Sequence, residues 1–114
     1  MLIPRRSLAA LTVFAAASFA LLSAHGQSGS SQGFVERGDA KLFYKSEGSG
    51  PAMVLIHGYP LGGELFKSNR SALAQAGYRV VTVDLRGFGR SSAPVSDAGS
   101  IPTYAQDVLA VMDK

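Results

Sequence analysis

Two short stretches hold the residue types that do chemistry. His57-Gly58-Tyr59-Pro60 follows the apolar run Ala52–Ile56, and Asp84-Leu85-Arg86-Gly87-Phe88-Gly89-Arg90-Ser91 follows the run Arg79–Val83. An imidazole at the end of a strand is a candidate general base, and a carboxylate there is a candidate acid or base. Arg86 and Arg90 are candidate anion binders, with a turn-bracing or surface role favoured for both. A third spelling, Gly29-Ser30-Ser31-Gln32-Gly33, has the written form Gly-x-Ser-x-Gly. A serine nucleophile of that kind needs a strand before it and a helix after it. Polar residues flank this one on both sides, so it is read as chance. The chain has no cysteine, which removes thiolate catalysis, zinc-thiolate sites and disulfides.

The elements that would position these stretches follow from hydrophobic patterning. Phe34–Arg37 and Lys41–Lys45 read as strands joined by Gly38-Asp39-Ala40, an antiparallel hairpin. Ala52–Ile56 is continuously apolar, as in a parallel strand buried on both faces, and Arg79–Val83 reads as the next buried strand. Between them, Glu64–Ala76 reads as a helix with Leu65, Asn69, Ala72, Leu73 and Ala76 on one face, ended by Gly77. Strand, helix and strand make a βαβ unit. A Gly/Ser/Pro/Asp-rich loop then spans Leu85–Pro102. A second helix opens at Thr103, where Thr103-x-x-Gln106 spells a capping box, with Tyr104, Val108, Val111 and Met112 as its apolar face.

The bulk properties bound the partners. The chain of 114 residues is 46% hydrophobic and 17% charged, a globular composition for one domain at most. Its formal charge is +3, but Arg5 and Arg6 lie in the first 26 residues, and residues 27–114 carry a net +1. No basic cluster with interleaved aromatics is present, so nucleic acid is not an expected partner. Met1–Arg6 is basic, Ser7–Ala24 is uncharged and apolar, and Ala24-His25-Gly26 brings small residues around a larger one. This is the layout of a secretory signal over residues 1–26, giving a periplasmic or secreted protein whose one membrane contact is that segment. An uncleaved anchor is the less favoured reading. Residues 27–33 read as a flexible linker, and residues 34–114 as the folded part.

From Phe34 to Lys114 the chain resembles the N-terminal part of α/β-hydrolases, in the branch of esterases, enol-lactonases and epoxide hydrolases with a His-Gly-x-Pro loop. His57-Gly58-Tyr59-Pro60 matches that loop, and Asp84 to Ser91 matches the family's Asp-x-Arg-Gly-x-Gly-x-Ser segment. The resemblance implies an α/β fold: an antiparallel hairpin, a βαβ unit of a mostly parallel sheet, then a helix. It implies an oxyanion loop, with Tyr59 supplying a backbone N–H, Gly58 the turn and Pro60 its fixed far side. His57, Asp84, Arg86, Gly87 and Gly89 become structural members of the two motifs, the glycines serving positive φ or close approach. The implied activity is hydrolysis of a carboxylic ester or lactone by Ser, His and an acid, on a small molecule and without a cofactor. An Asp nucleophile, with epoxide hydrolase or dehalogenase chemistry, is the alternative, and a truncated non-catalytic chain is another. No nucleophile, acid or base of the family stands in the sequence. All three are expected beyond Lys114, so the chain alone is expected to be inactive.

Overall fold

A computed structural model describes residues 29–96 and 99–114. The expected signal segment, residues 1–26, and the first two residues of the expected linker lie outside the described residues. Strand β1 (Ser30–Arg37) pairs antiparallel with β2 (Ala40–Glu47) in unbroken register from Ser30↔Glu47 to Arg37↔Ala40. The two-residue turn Gly38-Asp39 has Gly38 at φ 58°, as a primed hairpin turn requires. The strand therefore begins at Ser30, four residues earlier than the sequence suggested. Ser30–Gly33 is ladder, not linker, because β2 is long enough to offer each of these residues a partner. Ser31, the serine of the Gly-x-Ser-x-Gly spelling, sits in this strand opposite Ser46 and in no strand-to-helix turn.

The sheet order is β1-β2-β4-β3, with β3 (Ala52–Ile56) parallel to β4 (Arg79–Val83) and β4 antiparallel to β2. Alternation along β4 sends its residues to two faces. Val81 and Val83 pack with Ala40, Leu42 and Val111 in one buried cluster, while Thr82 faces the helix that joins β3 to β4. Each fully buried Val or Leu side chain contributes about 1.5–3 kcal/mol. Strand β4 matches the expected two-sided burial, but β3 does not. It is the edge strand among the described residues, and its Ile56 is 51% exposed.

The β3–β4 connection opens with a 3-10 turn, Gly63–Phe66, and continues as α1 (Lys67–Gln75). Its end is the expected one: Gly77 has φ 97°, its N–H reaches Ala74 O, and Tyr78 N–H reaches Leu73 O. These two bonds form a Schellman cap. The buried face differs from the predicted one. Arg70 and Ala74 are buried, whereas Leu65, Asn69, Ala72 and Ala76 are exposed. The 3-10 turn shifts the phase at Leu65, and a salt bridge takes the inner face. Arg70 Nε lies 3.2 Å from Glu47 Oε2 and Nη1 donates to Thr82 Oγ1 at 3.2 Å. Ser71 Oγ donates to the other oxygen of Glu47. At the rim, a hydrogen bond from Lys45 holds the Glu64 carboxyl below the usual carboxylate range.

Helix α2 runs Ile101–Met112 and starts two residues before the predicted Thr103. Ser100 is the N-cap, and its hydroxyl accepts the Thr103 N–H at 3.3 Å. Pro102 is tolerated in the first turn, where main-chain N–H groups have no intrahelical acceptor. The inward face carries Asp107, Val108 and Val111, and Met112 is exposed. Among the described residues no helix is long and apolar enough to cross a membrane.

Candidate active site

The two chemical stretches meet at the ends of β3 and β4. Residues 58–61 form a turn closed by Leu61 N–H to Gly58 O at 2.9 Å, with a cis peptide between Tyr59 and Pro60. A cis proline at the third position makes this a type VI turn. Residues 85–91 form a second, glycine-bounded loop. Phe88 N–H donates to Leu85 O and Ser91 N–H to Phe88 O, each at 2.9 Å.

His57 ties the roots of the two loops together. Its ring is buried, and Nε2 accepts the Leu85 N–H at 3.0 Å. With that lone pair engaged, the proton sits on Nδ1, which donates to Gly58 O at 3.0 Å. Both ring nitrogens are thus committed to main chain. A general base needs a free lone pair directed at substrate, and this imidazole has none.

Asp84 braces the far side of both loops. Oδ1 accepts the Gly63 N–H at 2.6 Å, and Oδ2 accepts the Arg90 N–H at 2.7 Å. Gly89 has φ 52°, and a Cβ there would overlap the Asp84 carboxylate. Close approach and left-handed backbone both demand glycine at this position. Gly87 also has positive φ, 78°. Gly58 differs: its φ is not positive, and a Cβ would meet nothing within 4 Å. The tight turn expected of Gly58 belongs to Tyr59-Pro60 instead.

Arg86 is neither a surface residue nor an anion binder. Its Nε and Nη2 lie 2.6 and 2.7 Å from the two oxygens of Asp107, a bidentate pair with both side chains buried. Arg37 Nη1 adds a third bond to Asp107 at 3.0 Å, and its Nη2 donates to Gln106 Oε1. The pair pins α2 to the glycine loop. Arg90 lies outside, with its guanidinium 3.9 Å from the Phe43 ring centroid.

Two structural residues escaped the sequence reading. Asp107 is one of them, and the signal for it is an acid within an apolar helix face, itself a sign of a buried partner. Ser91 was read as the last letter of its motif. Its Oγ accepts the Phe43 N–H at 2.7 Å and donates to Asp84 O at 2.6 Å, stitching the loop to β2.

Around this frame the surface is open. Tyr59 is 86% exposed, and its main-chain N–H has no acceptor among the described residues. Beside it, Ile56, His57, Leu85, Tyr104, Val108 and Leu109 line part of an apolar cleft of about 510 Å³. Among the described residues, no group of His, Cys, Asp and Glu side chains is placed to hold a metal ion.

Comparison with known proteins agrees with this architecture. The chain is 40% identical over 72 residues to a non-heme chloroperoxidase of Kitasatospora aureofaciens, covering 63% of this chain and 26% of that protein. It is 36% identical over 73 residues to an epoxide hydrolase of Caballeronia sordidicola, covering 63% and 22%. In three dimensions it superposes on an esterase from Exiguobacterium antarcticum with a TM-score of 0.64 at 34% identity, over 70% of this chain and 30% of that one. The chain therefore spans about a quarter of the length of these curated relatives. The family model described as alpha/beta hydrolase fold matches residues 51–114. That match begins one residue before β3 and takes in both loops and α2, so the chain belongs to the alpha/beta hydrolase fold family.

Proposed function

We propose that this chain supplies the oxyanion loop of an exported hydrolase that cleaves a carboxylic ester or lactone by a Ser-His-acid mechanism. The observation that carries the reading is the Tyr59 main-chain N–H. It has no acceptor among the described residues, on a turn that His57 and Asp84 hold from both ends. When a serine oxygen attacks an ester carbonyl, negative charge develops on the carbonyl oxygen. A donor already fixed in place stabilises that charge without reorganising. The Tyr59 N–H is the first donor, and in this fold the residue after the nucleophile supplies the second. His57 is occupied in bracing and is not the catalytic histidine of this reading. Gly58 and Pro60 flank the donor. Export rests on the charged, apolar and small-residue order of residues 1–26.

A second reading has a specific observation behind it. That observation is the likeness to an epoxide hydrolase over 73 residues. With an Asp nucleophile the same loop would serve epoxide opening or dehalogenation. The test is to express the complete reading frame and assay an aryl ester, a lactone and an aryl epoxide. Ester or lactone turnover that disappears on replacing a serine nucleophile is the expected result. Epoxide turnover through an aspartate would favour the second reading, and no turnover of any of the three would overturn both.

A further inference from the structure

Phe88 belongs to the glycine loop and turns its ring toward the 57–61 segment. Its ring meets the edge of His57, with centroids 5.8 Å apart at 73°, and that of Tyr59, also at 5.8 Å and 88°. Tilted, edge-on pairs of this kind match the positive rim of one ring to the negative face of the other. Phe88 is itself fixed by its main chain, which bonds to Leu85 and Ser91. The positive φ of Gly87 and Gly89 on either side sets the turn that presents the ring. The Tyr59 ring, by contrast, is almost wholly in solvent, and Phe88 is its one ring contact among the described residues.

We infer that Phe88 is a positioning residue for the oxyanion loop: its ring holds the exposed 58–61 turn against the glycine loop and so fixes the direction of the Tyr59 N–H. This inference rests on the reading of that N–H as a donor to the developing oxyanion. His57 and Asp84 anchor the ends of the loop through hydrogen bonds, but neither forms a hydrogen bond or ring pair with Tyr59 among the described residues. A small misplacement of a donor weakens transition-state stabilisation far more than ground-state binding. Phe88 should therefore act on kcat and leave KM nearly unchanged.

The test uses the complete reading frame carrying Phe88→Ala or Phe88→Tyr, with two readouts. The first is kcat and KM on an aryl ester or, if the protein prefers it, an aryl epoxide. Phe88→Ala should lower kcat by about tenfold and move KM by less than about twofold, and Phe88→Tyr should restore kcat to within about twofold. The second is hydrogen exchange at the Leu61 amide, which closes the turn onto Gly58. Phe88→Ala should speed it by about tenfold or more while the β4 amides of Val81 and Val83 keep their rates, and Phe88→Tyr should not. Wild-type kcat in Phe88→Ala, unchanged Leu61 exchange, or equal acceleration at β4 would each overturn the inference. If the wild-type protein turns over no ester or epoxide, the donor reading fails on its own. The Leu61 exchange still decides whether Phe88 holds the turn.

Discussion

His57 Nε2 accepts the main-chain N–H of Leu85 at 3.0 Å. One imidazole thereby joins the end of β3 to the end of β4. Replacing His57 with Ala leaves the buried Leu85 N–H without its partner, a loss of about 1–3 kcal/mol. His57→Ala should therefore lower the unfolding midpoint, with activity lost to the same loosening. Chemical denaturation alongside kcat/KM checks this. A variant of native stability and no activity would make His57 a reacting group instead.

The Arg86–Asp107 pair makes a larger claim on stability. Arg86→Ala strands a fully buried carboxylate with Arg37 as its remaining cation, and breaking a buried pair costs about 3–5 kcal/mol. Arg37→Ala should cost about 1 kcal/mol or less, because that side chain is partly in solvent. Urea titration of the two variants compares them directly, and equal losses would contradict the assignment of Arg86 as the principal partner.

The glycines of the two loops should separate cleanly. Gly89→Ala combines a left-handed backbone with overlap on the Asp84 carboxylate, so it should destabilise strongly. Gly58→Ala has neither problem and should melt within about 1 kcal/mol of the native protein. Thermal unfolding of both decides the matter. A Gly58→Ala loss as large as that of Gly89→Ala would show a constraint on Gly58 that the present geometry lacks.

These contrasts mark where the sequence was legible. The hairpin, β3, β4 and the Gly77 cap followed from turn chemistry and short valine-, leucine- and isoleucine-rich runs, which are local signals. The α1 face did not, because its inner position is held by Arg70, whose partners Glu47 and Thr82 lie 23 and 12 residues away. Asp107 failed for the same reason: its partners, Arg86 and Arg37, are 21 and 70 residues distant. The α2 start was missed by a competing cap, since Ser100 and Thr103 both spell one and only the chain path chose Ser100. Within the site, residue types and order marked both loops. What the sequence withheld was which nitrogen of His57 bonds to what, and that Phe88 lies between the rings of His57 and Tyr59.

Expressed by itself, the span 27–114 should be inactive and self-associating. It contains His57 as its one histidine and no serine in a strand-to-helix turn among the described residues. The outer edge of β3 has no strand beside it among the described residues, and such an edge templates pairing with other chains. Size-exclusion chromatography with an ester assay is the check. A monodisperse, cooperatively melting monomer would contradict the edge argument, and turnover by that monomer would contradict the assignment of the catalytic groups.

The most direct measurement removes the Tyr59 main-chain N–H and keeps its side chain. In the complete protein, Tyr59 is replaced by its α-hydroxy acid counterpart, which exchanges the main-chain N–H for an ester oxygen, and kcat on an aryl ester is compared with that of Tyr59→Phe. Tyr59→Phe should keep most activity, since the donor is main chain. The ester-backbone protein should lose about 10²–10³ in kcat with little change in KM, the loss typical of one oxyanion donor. An unchanged kcat in the ester-backbone protein would contradict the account.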